Sequence, residues 1–276
     1  MAQSEDRYEL PSNTAGDIRK MFIWLCVGFG VLFALGLTFV IFAQSLVKFV
    51  PFSAEERFIK PYEGLLVEDL LSESEDSQII QDYLEQLVAG LKDAGNLSDD
   101  LNFKIHYSDK LIENAYATLG GHIVVYRGLI DSVDSENGLV MVIAHEMAHI
   151  ENRDPAAAMG RSLAISLIIS SASGGYSDDV AEVLSNAGLN QFSRKQERKA
   201  DILALDLIND YYGHVGGRDE FFQKMQGRDI DLAEWLSSHP EIESRISYLE
   251  KEITDKGLLV GDTIPFPMEI QKILDK

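Results

Sequence analysis

The sequence is poor in cysteine and in basic residues, and both shortages exclude classes of protein. Its one cysteine, Cys26, lies in an apolar stretch, so neither an intrachain disulfide nor a metal site built from thiolates is available. Lysine and arginine together number 24 against 45 aspartates and glutamates, which gives a formal net charge of −21. Nucleic-acid binding depends on basic side chains that neutralise phosphates. The composition therefore argues against a nucleic-acid partner.

Charge is absent altogether from residues 21–43. A helix over this range would be ~34 Å long, enough to cross the ~30 Å hydrocarbon layer of a bilayer. A cleaved signal peptide is the alternative, but its apolar core is only about 7–15 residues long, and residues 41–43 make a poor cleavage site. We therefore expect an uncleaved membrane anchor. Arg19 and Lys20 flank its start, which favours a cytoplasmic N-terminus and a following domain on the outer side.

Residues 142–150 read VIAHEMAHI, and no proline interrupts residues 137–151. The apolar residues of this run recur at helical spacing, so the pattern predicts a helix. His145 and His149 are four residues apart and would share one face of it, where two imidazoles can bind one metal ion. Glu146 would lie beside that ion and could take a proton from a metal-bound water. The competing interpretation is a pair of histidines on a core helix.

A catalytic zinc takes three protein ligands and keeps one position open for water. Asn152 and Pro155 occupy the positions where a glycine and then a third histidine commonly follow this motif, so the third ligand must come from a separate segment. Residues 193–201, SRKQERKAD, predict a helix start with Glu197 and Asp201 on one face. One of these carboxylates can bind the metal while the other accepts the outer N–H of a ligating histidine. A solvated, charged helix start is the alternative.

The elements that precede this motif are short. Residues 77–94 show helical spacing of apolar residues and stop at Gly95. Residues 101–107 alternate apolar and polar side chains, and residues 114–119 and 122–126 meet across two glycines. The pattern predicts a packing helix followed by a small antiparallel sheet.

Four blocks of sequence together resemble a known family. They are HEMAH at 145–149, SRKQERKAD at 193–201, NAYATLGGHIVVYRGL at 114–129 and HPEIESRI at 239–246. They are similar to the gluzincin metallopeptidases, which include HtpX, the CAAX prenyl endopeptidases, the mitochondrial Oma-type peptidases and their periplasmic bacterial relatives. The resemblance covers roughly residues 55–250. A single spanning segment favours the single-anchor or periplasmic members over HtpX and the CAAX enzymes.

The resemblance implies an α+β fold: a mostly helical, zincin-like metallopeptidase domain with a small antiparallel sheet, plus one N-terminal transmembrane helix. We divide the chain into a cytoplasmic tail, a transmembrane anchor, a juxtamembrane connector, the gluzincin domain and a C-terminal extension. Their respective ranges are 1–20, 21–43, 44–61, 62–254 and 255–276.

The same resemblance assigns the site residues. It implies one Zn²⁺ per chain, held by His145, His149 and Glu197, with Asp201 as the acceptor for a ligating histidine. In similar proteins a histidine at the position of His239 approaches the metal. There it would either stabilise the oxyanion or occupy the open position as a fourth, inhibitory ligand. Arg245 would support this segment or the charge of the transition state.

The expected function is a membrane-anchored zinc endopeptidase with Glu146 as general base. It would act on unfolded or membrane-protein polypeptides in membrane or envelope quality control, as a single-pass protein of the cell (inner) membrane with its domain on the periplasmic or extracytoplasmic side. The alternative is a latent or chaperone-like scaffold that binds unfolded clients with little turnover.

Two further segments have open interpretations. Gly121, His122, Ile123 and Val124 are candidates for an edge strand that pairs with an extended substrate, although an ordinary sheet edge fits equally well. His106 and His122 are expected to be ordinary surface or core histidines. The short apolar run 163–169 cannot cross a bilayer, and it predicts a buried helix or, alternatively, a surface that touches lipid.

Overall fold

The computed structural model describes residues 14–64, 74–173, 192–227, 239 and 242–276. Helix α1, Thr14–Val47, contains the whole predicted anchor and is long and apolar enough to cross a membrane. Residues 14–20 of the predicted tail are also helical and continue into the anchor, whereas residues 1–13 lie outside the described residues. The apolar side chains of α1 are largely exposed, as expected of a helix that is apolar all round and contacts lipid.

The connector after α1 is short and is attached to the rest of the domain. Helix α2, Phe52–Ile59, begins after Pro51 and is followed by a single turn, Lys60–Tyr62. Glu55 of α2 is buried, forms an ion pair with Arg153 at 2.7 Å and accepts the backbone N–H of Gly120 at 2.8 Å. The same Arg153 donates to the carbonyl of Val50 at 2.9 Å.

Helix α3 and a three-stranded sheet form one wall of the core. Helix α3, Glu75–Ala94, begins at Ser74, whose side chain accepts the N–H of Ser77, and ends at Gly95 as predicted. The strands are β1 (Lys104–Ser108), β2 (Ala115–Ala117) and β3 (His122–Tyr126), in the order β1-β3-β2. Strand β2 pairs with β3 antiparallel, but β1 pairs with β3 parallel. The sheet is therefore mixed, and the prediction of a fully antiparallel sheet was wrong in this respect.

The turn between β2 and β3 depends on its two glycines. Gly120 and Gly121 have φ of 72° and 79°, a region that other residues rarely adopt, and a Cβ on Gly121 would lie 1.9 Å from the carbonyl oxygen of Asn102. The turn returns the chain along β2 and places β3 in the middle of the sheet. The prediction of an edge strand at Gly121, His122, Ile123 and Val124 was wrong, because β1 pairs with the other side of β3. The edges are β1 and β2.

Helices α4 and α5 follow the sheet. Helix α4, Arg127–Ser132, leads to α5, Glu136–Glu151, which begins at Ser135, whose side chain accepts the N–H of Gly138. Nearly every residue of α5 is buried, because the sheet, α3 and the later helices surround it. Asn152 ends α5, and Arg153, with φ of 60°, turns the chain into the next helix.

Helices α6 and α7 flank α5. Helix α6, Asp154–Ser173, is buried over its first two turns, but Ile165, Leu167, Ile168 and Ile169 are exposed. The prediction of a buried helix was therefore wrong for this run. Helix α7, Arg194–Tyr212, begins with a reciprocal capping box between Ser193 and Gln196 and ends at Gly213, which has φ of 75°.

The remaining described helices complete the core. They are α8 (Glu220–Gly227), α9 (Ile242–Lys256) and α10 (Met268–Leu274). Phe266, Ile270 and Ile273 are buried in the same apolar cluster as α3 and α5. The segment predicted as an extension, 255–276, thus packs as part of the domain.

Candidate metal centre

Four side chains from separate parts of the chain meet at the centre of the domain. Helix α5 supplies His145 and His149, α7 supplies Glu197, and His239 joins them from between α8 and α9. One ligand atom from each of the four lies within 4.8 Å of all the others, and all four side chains are buried. The structure therefore brings together the three predicted ligands and the histidine that the resemblance placed near them.

The separations between these atoms fit a tetrahedral metal. Ligand atoms at ~2.0–2.1 Å from a tetrahedral zinc are about 3.3–3.4 Å from one another. The Nε2 atoms of His145 and His149 are 3.0 Å apart, and they lie 3.6 and 3.3 Å from the nearer Glu197 oxygens. His239 Nδ1 is 3.1 Å from Glu197 and 3.4 Å from His145 Nε2. These four groups could hold a zinc ion.

The outer nitrogens of both α5 histidines are held by carboxylates. Nδ1 of His145 lies 2.8 Å from Oδ1 of Asp201, and Nδ1 of His149 lies 3.0 Å from Oδ2 of Asp154. An N–H directed at a carboxylate fixes the tautomer of a neutral imidazole, so each Nε2 presents a lone pair. Two lone pairs facing each other at 3.0 Å repel unless a cation or a proton lies between them. This arrangement supports a bound cation.

The charge around the site also favours a cation. Four carboxylates, of Glu146, Asp154, Glu197 and Asp201, are at most 2 % exposed, and one guanidinium, of Arg245, is 1 % exposed. The buried groups named here thus carry a net charge of −3 when the histidines are neutral, and Lys48, whose side chain is 41% exposed, lies 3.5 Å from Asp154 and offsets part of it. Such an excess requires bound metal or extra protons, because an unpaired buried charge is costly.

The pKa values of His149 and Glu197 also indicate that the site stabilises positive charge. Burial lowers the pKa of His149, but its hydrogen bonds to Asp154 and Glu197 outweigh this and raise the pKa to about 10. Burial raises the pKa of Glu197, yet the charge of His239 and the hydrogen bonds from His145 and His149 bring it far below its usual range. The carboxylates around His149 thus favour a positive charge at this position.

Glu146 is held at the rim of the four-residue cluster. Its Oε2 accepts the backbone N–H of Ala117 at 2.7 Å, while its Oε1 lies 3.6 Å from Nε2 of His239. Oε1 is buried and has no hydrogen-bond partner within the part of the chain that the structure describes. A carboxylate held by one oxygen, with the other directed at the cluster, is suited to accept a proton there.

Arg245 links the third ligand to the acceptor of His145. Its guanidinium binds both oxygens of Asp201, at 2.8 and 2.6 Å, and lies 3.0 Å from Oε2 of Glu197. The hydroxyl of Tyr248 also donates to Asp201. Burial lowers the pKa of Arg245, but Asp201 and Glu197 raise it above its usual value, so the group is charged. The sequence left two roles open for Arg245, support of its segment or of the charge of the transition state. These contacts favour the first.

Several residues of the site were not predicted from the sequence. Asp154 was not among the predicted site residues, although it accepts from His149 and from Nε2 of Gln196 at 2.8 Å. Phe192 stacks on the His149 ring with centroids 4.1 Å apart. Ala117 contributes only its backbone N–H. The position of Asp154, a carboxylate soon after the second histidine, could have indicated its role. The stacking of Phe192 and the backbone N–H of Ala117 have no comparable signal in the sequence.

Strand β2, not β3, borders the site. Thr118 N donates to the carbonyl of His122 at 2.8 Å and Tyr126 N donates to the carbonyl of Asn114 at 3.2 Å, so these positions of β2 face β3. The N–H groups of Ala115 and Ala117 therefore point to the opposite side, where Glu146 lies.

Comparisons with known proteins identify relatives over most of the chain. The family model described as Peptidase family M48 matches residues 78–253. The mitochondrial metalloendopeptidase OMA1 of Schizosaccharomyces pombe is 27% identical over 250 residues, which cover 84% of this chain and 72% of that protein. Human metalloendopeptidase OMA1, mitochondrial, is 24% identical over 79% of this chain and 48% of its own length. The beta-barrel assembly-enhancing protease of Yersinia pestis is 26% identical over 62% of this chain and 37% of its own length. The chain thus spans about half or less of the last two relatives.

Proposed function

The chain belongs to peptidase family M48 and is a metalloendopeptidase, and from that premise we propose that it hydrolyses peptide bonds with zinc at the His145, His149 and Glu197 cluster. The observation that carries this proposal is the set of donor atoms within 4.8 Å of one another, at separations that suit a tetrahedral ion. When bound, zinc would polarise the scissile carbonyl and lower the pKa of the attacking water.

Glu146 is the general base in this proposal. Its Oε1 faces the cluster and takes the proton of the attacking water, while the N–H of Ala117 holds Oε2. The same carboxyl can then deliver the proton to the leaving amine, because peptide hydrolysis ends with a protonated amine. Asp201 and Asp154 keep the Nε2 lone pairs of the two α5 histidines directed into the site.

An extended substrate would pair with strand β2. The outward N–H of Ala115 and the C=O groups of Ala115 and Ala117 lie on the side of β2 that borders Glu146, whereas the N–H of Ala117 is occupied by Glu146; main-chain hydrogen bonding to the remaining groups would bring a scissile bond beside the base. Recognition of this kind selects extended conformation more than side-chain identity, which suits unfolded polypeptides. The names of the relatives, which include mitochondrial metalloendopeptidases and a beta-barrel assembly-enhancing protease, support membrane or envelope protein quality control as the setting.

Helix α1 anchors the enzyme as a single-pass protein of the cell (inner) membrane, with the domain on the extracytoplasmic side. Its length, its apolar composition and its exposure support the anchor. Arg19 and Lys20 at its N-terminal end support the orientation.

His239 closes the site in the arrangement described above. With Nδ1 of His239 as a fourth donor, no position remains for the water that a catalytic zinc needs. The complete burial of His239 and Glu146 favours a latent state that opens when His239 withdraws. A scaffold that binds unfolded clients with little turnover is the extreme form of this state.

One experiment tests the catalytic proposal. Purified Glu146→Gln protein in detergent should contain as much zinc as the wild type but fail to cleave casein, because an amide cannot accept the proton. Wild-type protein treated with a chelator should also be inactive and recover with zinc. Undiminished casein cleavage by Glu146→Gln would refute the role of this residue.

A further inference from the structure

Helix α6 runs antiparallel along the C-terminal half of α1. A Cβ on Gly160 would meet the Val47 side chain at 2.6 Å and the Ala43 carbonyl at 3.2 Å, so the two helices approach closely there. Further along both helices, a Cβ on Gly36 would lie 3.5 Å from Cδ1 of Ile168. Close approach at small residues is typical of helices packed within a membrane.

This alignment places the second half of α6 beside the membrane-spanning part of α1. Gly160 lies next to Ala43, the last residue of the predicted anchor, and Ile168 lies next to Gly36, within it. The distance along α6 from Arg161 to Ser173, its last described residue, is about 18 Å, which is little more than half of the ~30 Å hydrocarbon layer. The described part of α6 therefore reaches about the middle of the bilayer.

The chemistry of this half of α6 suits lipid. Residues 162–173 carry no charge, and Leu167 and Ile169 are 59% and 62% exposed. The hydroxyl of Ser170 donates to the carbonyl of Ser166 at 2.7 Å, as Thr38 and Ser45 donate to carbonyls within α1. Hydroxyls satisfied within their own helix impose little cost in hydrocarbon.

We propose that the second half of α6 inserts into the membrane leaflet on the side of the domain, with Leu167 and Ile169 in contact with lipid acyl chains. The inference rests on the proposed anchoring of the chain by α1. Acyl chains are the occupant that the geometry favours over a second protein, because the exposed face continues the exposed surface of a helix that itself spans the bilayer. The domain is then held to the membrane at two points.

Fluorescence quenching by brominated lipid acyl chains tests the proposal on the full-length chain. The two native tryptophans, Trp24 and Trp235, are first replaced by phenylalanine, and one reporter tryptophan is then introduced per protein. Leu167→Trp reports on α6, Phe33→Trp reports on the anchor, and Leu111→Trp reports on a 79% exposed site of the domain. Each protein is reconstituted into vesicles with and without brominated lipid.

The expected result is quenching of the reporters at 167 and 33 and none of the reporter at 111. Quenching at 33 without quenching at 167 would overturn the insertion of α6 but leave the anchor intact. Absence of quenching at 33 would overturn the anchor, and the present inference with it. Ile169→Trp provides a second α6 reporter if Leu167→Trp does not fold, as judged by its zinc content.

Discussion

The backbone N–H of Ala117 donates to Oε2 of Glu146 at 2.7 Å, and this hydrogen bond joins the edge strand of the sheet to the proposed general base. Both groups are buried, so the bond persists without competition from water. The strand that would receive the substrate therefore also sets the orientation of the group that would activate water.

Replacement of Ala117 by proline should remove this donor and spare the sheet. The N–H of Ala117 does not face β3, and proline is tolerated on the outer side of an edge strand. We expect the zinc content to stay at the wild-type level and kcat for peptide hydrolysis to fall about 100-fold, as for other misplaced catalytic groups. Ala117→Gly retains the donor and should remain active. Full activity of the proline variant would contradict the role of this hydrogen bond.

Asp154→Ala should weaken zinc binding. The carboxylate of Asp154 directs Nδ1 of His149, and loss of such a partner typically lowers metal affinity 10–100-fold. Competition with a fluorescent chelator would measure the dissociation constant. Asp82→Ala, on an exposed face of α3, is the control and should bind zinc like the wild type. Equal affinity of the two variants would show that Asp154 does not position His149.

Arg245→Met should destabilise the metal-free protein by about 3–5 kcal/mol, because it leaves the buried carboxylates of Asp201 and Glu197 without their cation. Denaturant unfolding of the full-length chain in detergent would measure this change. Adding Asp201→Asn should cost less than the sum of the two single substitutions, since it removes one of the unpaired charges. Strictly additive costs would argue that the ion pair contributes nothing.

His239→Ala should raise the rate of casein cleavage and weaken zinc binding. The substitution removes the fourth donor and opens the position that water needs. The double variant Glu146→Gln, His239→Ala should be inactive, which would show that the gained activity uses the same base. A fall in kcat for His239→Ala with unchanged zinc affinity would instead assign His239 to stabilisation of the oxyanion.

His106 should make the fold sensitive to acid. Burial, followed by the charges of His122 and Lys104, lowers the pKa of His106 to about 4, from the usual 6.5 of an unfolded chain. Between these values the unfolded chain binds more protons than the folded one, so this contribution to stability is complete above pH 6.5 and is lost as the pH falls toward 4. Between pH 7 and pH 5, the decrease in the free energy of unfolding should be about 1 kcal/mol smaller for His106→Gln than for the wild type. This figure allows for the partial exposure of His106. Unfolding curves at pH 7 and pH 5 would measure it, and an identical pH dependence in both proteins would contradict it.

The parts of the fold that local sequence determines could be predicted. The four-residue spacing of His145 and His149 fixes a shared face as soon as the helix forms, and the glycine at 95 and the serine at 193 marked the end of α3 and the start of α7. The glycine pair at 120–121 likewise predicted the turn that joins β2 and β3.

The parts of the fold that depend on contacts between residues distant in sequence could not be predicted. The sequence order of β2 and β3 predicts their pairing, but nothing local indicates that β1 joins the other side of β3 in parallel. Asp154 reaches His149 only because Arg153 turns the chain with a positive φ. The exposure of α6 was misjudged because a run of apolar residues with serines is compatible with a protein core and with lipid alike.

The short link between α1 and α2 limits where this enzyme can work. Only residues 48–51 separate the two helices, a length that spans at most ~14 Å when fully extended, and Arg153 fastens the link at the carbonyl of Val50. With α1 in the membrane as proposed, an enzyme tethered so closely would not reach bonds far from the bilayer surface. Its cleavage sites would be selected by their distance from the lipid headgroups as much as by their sequence.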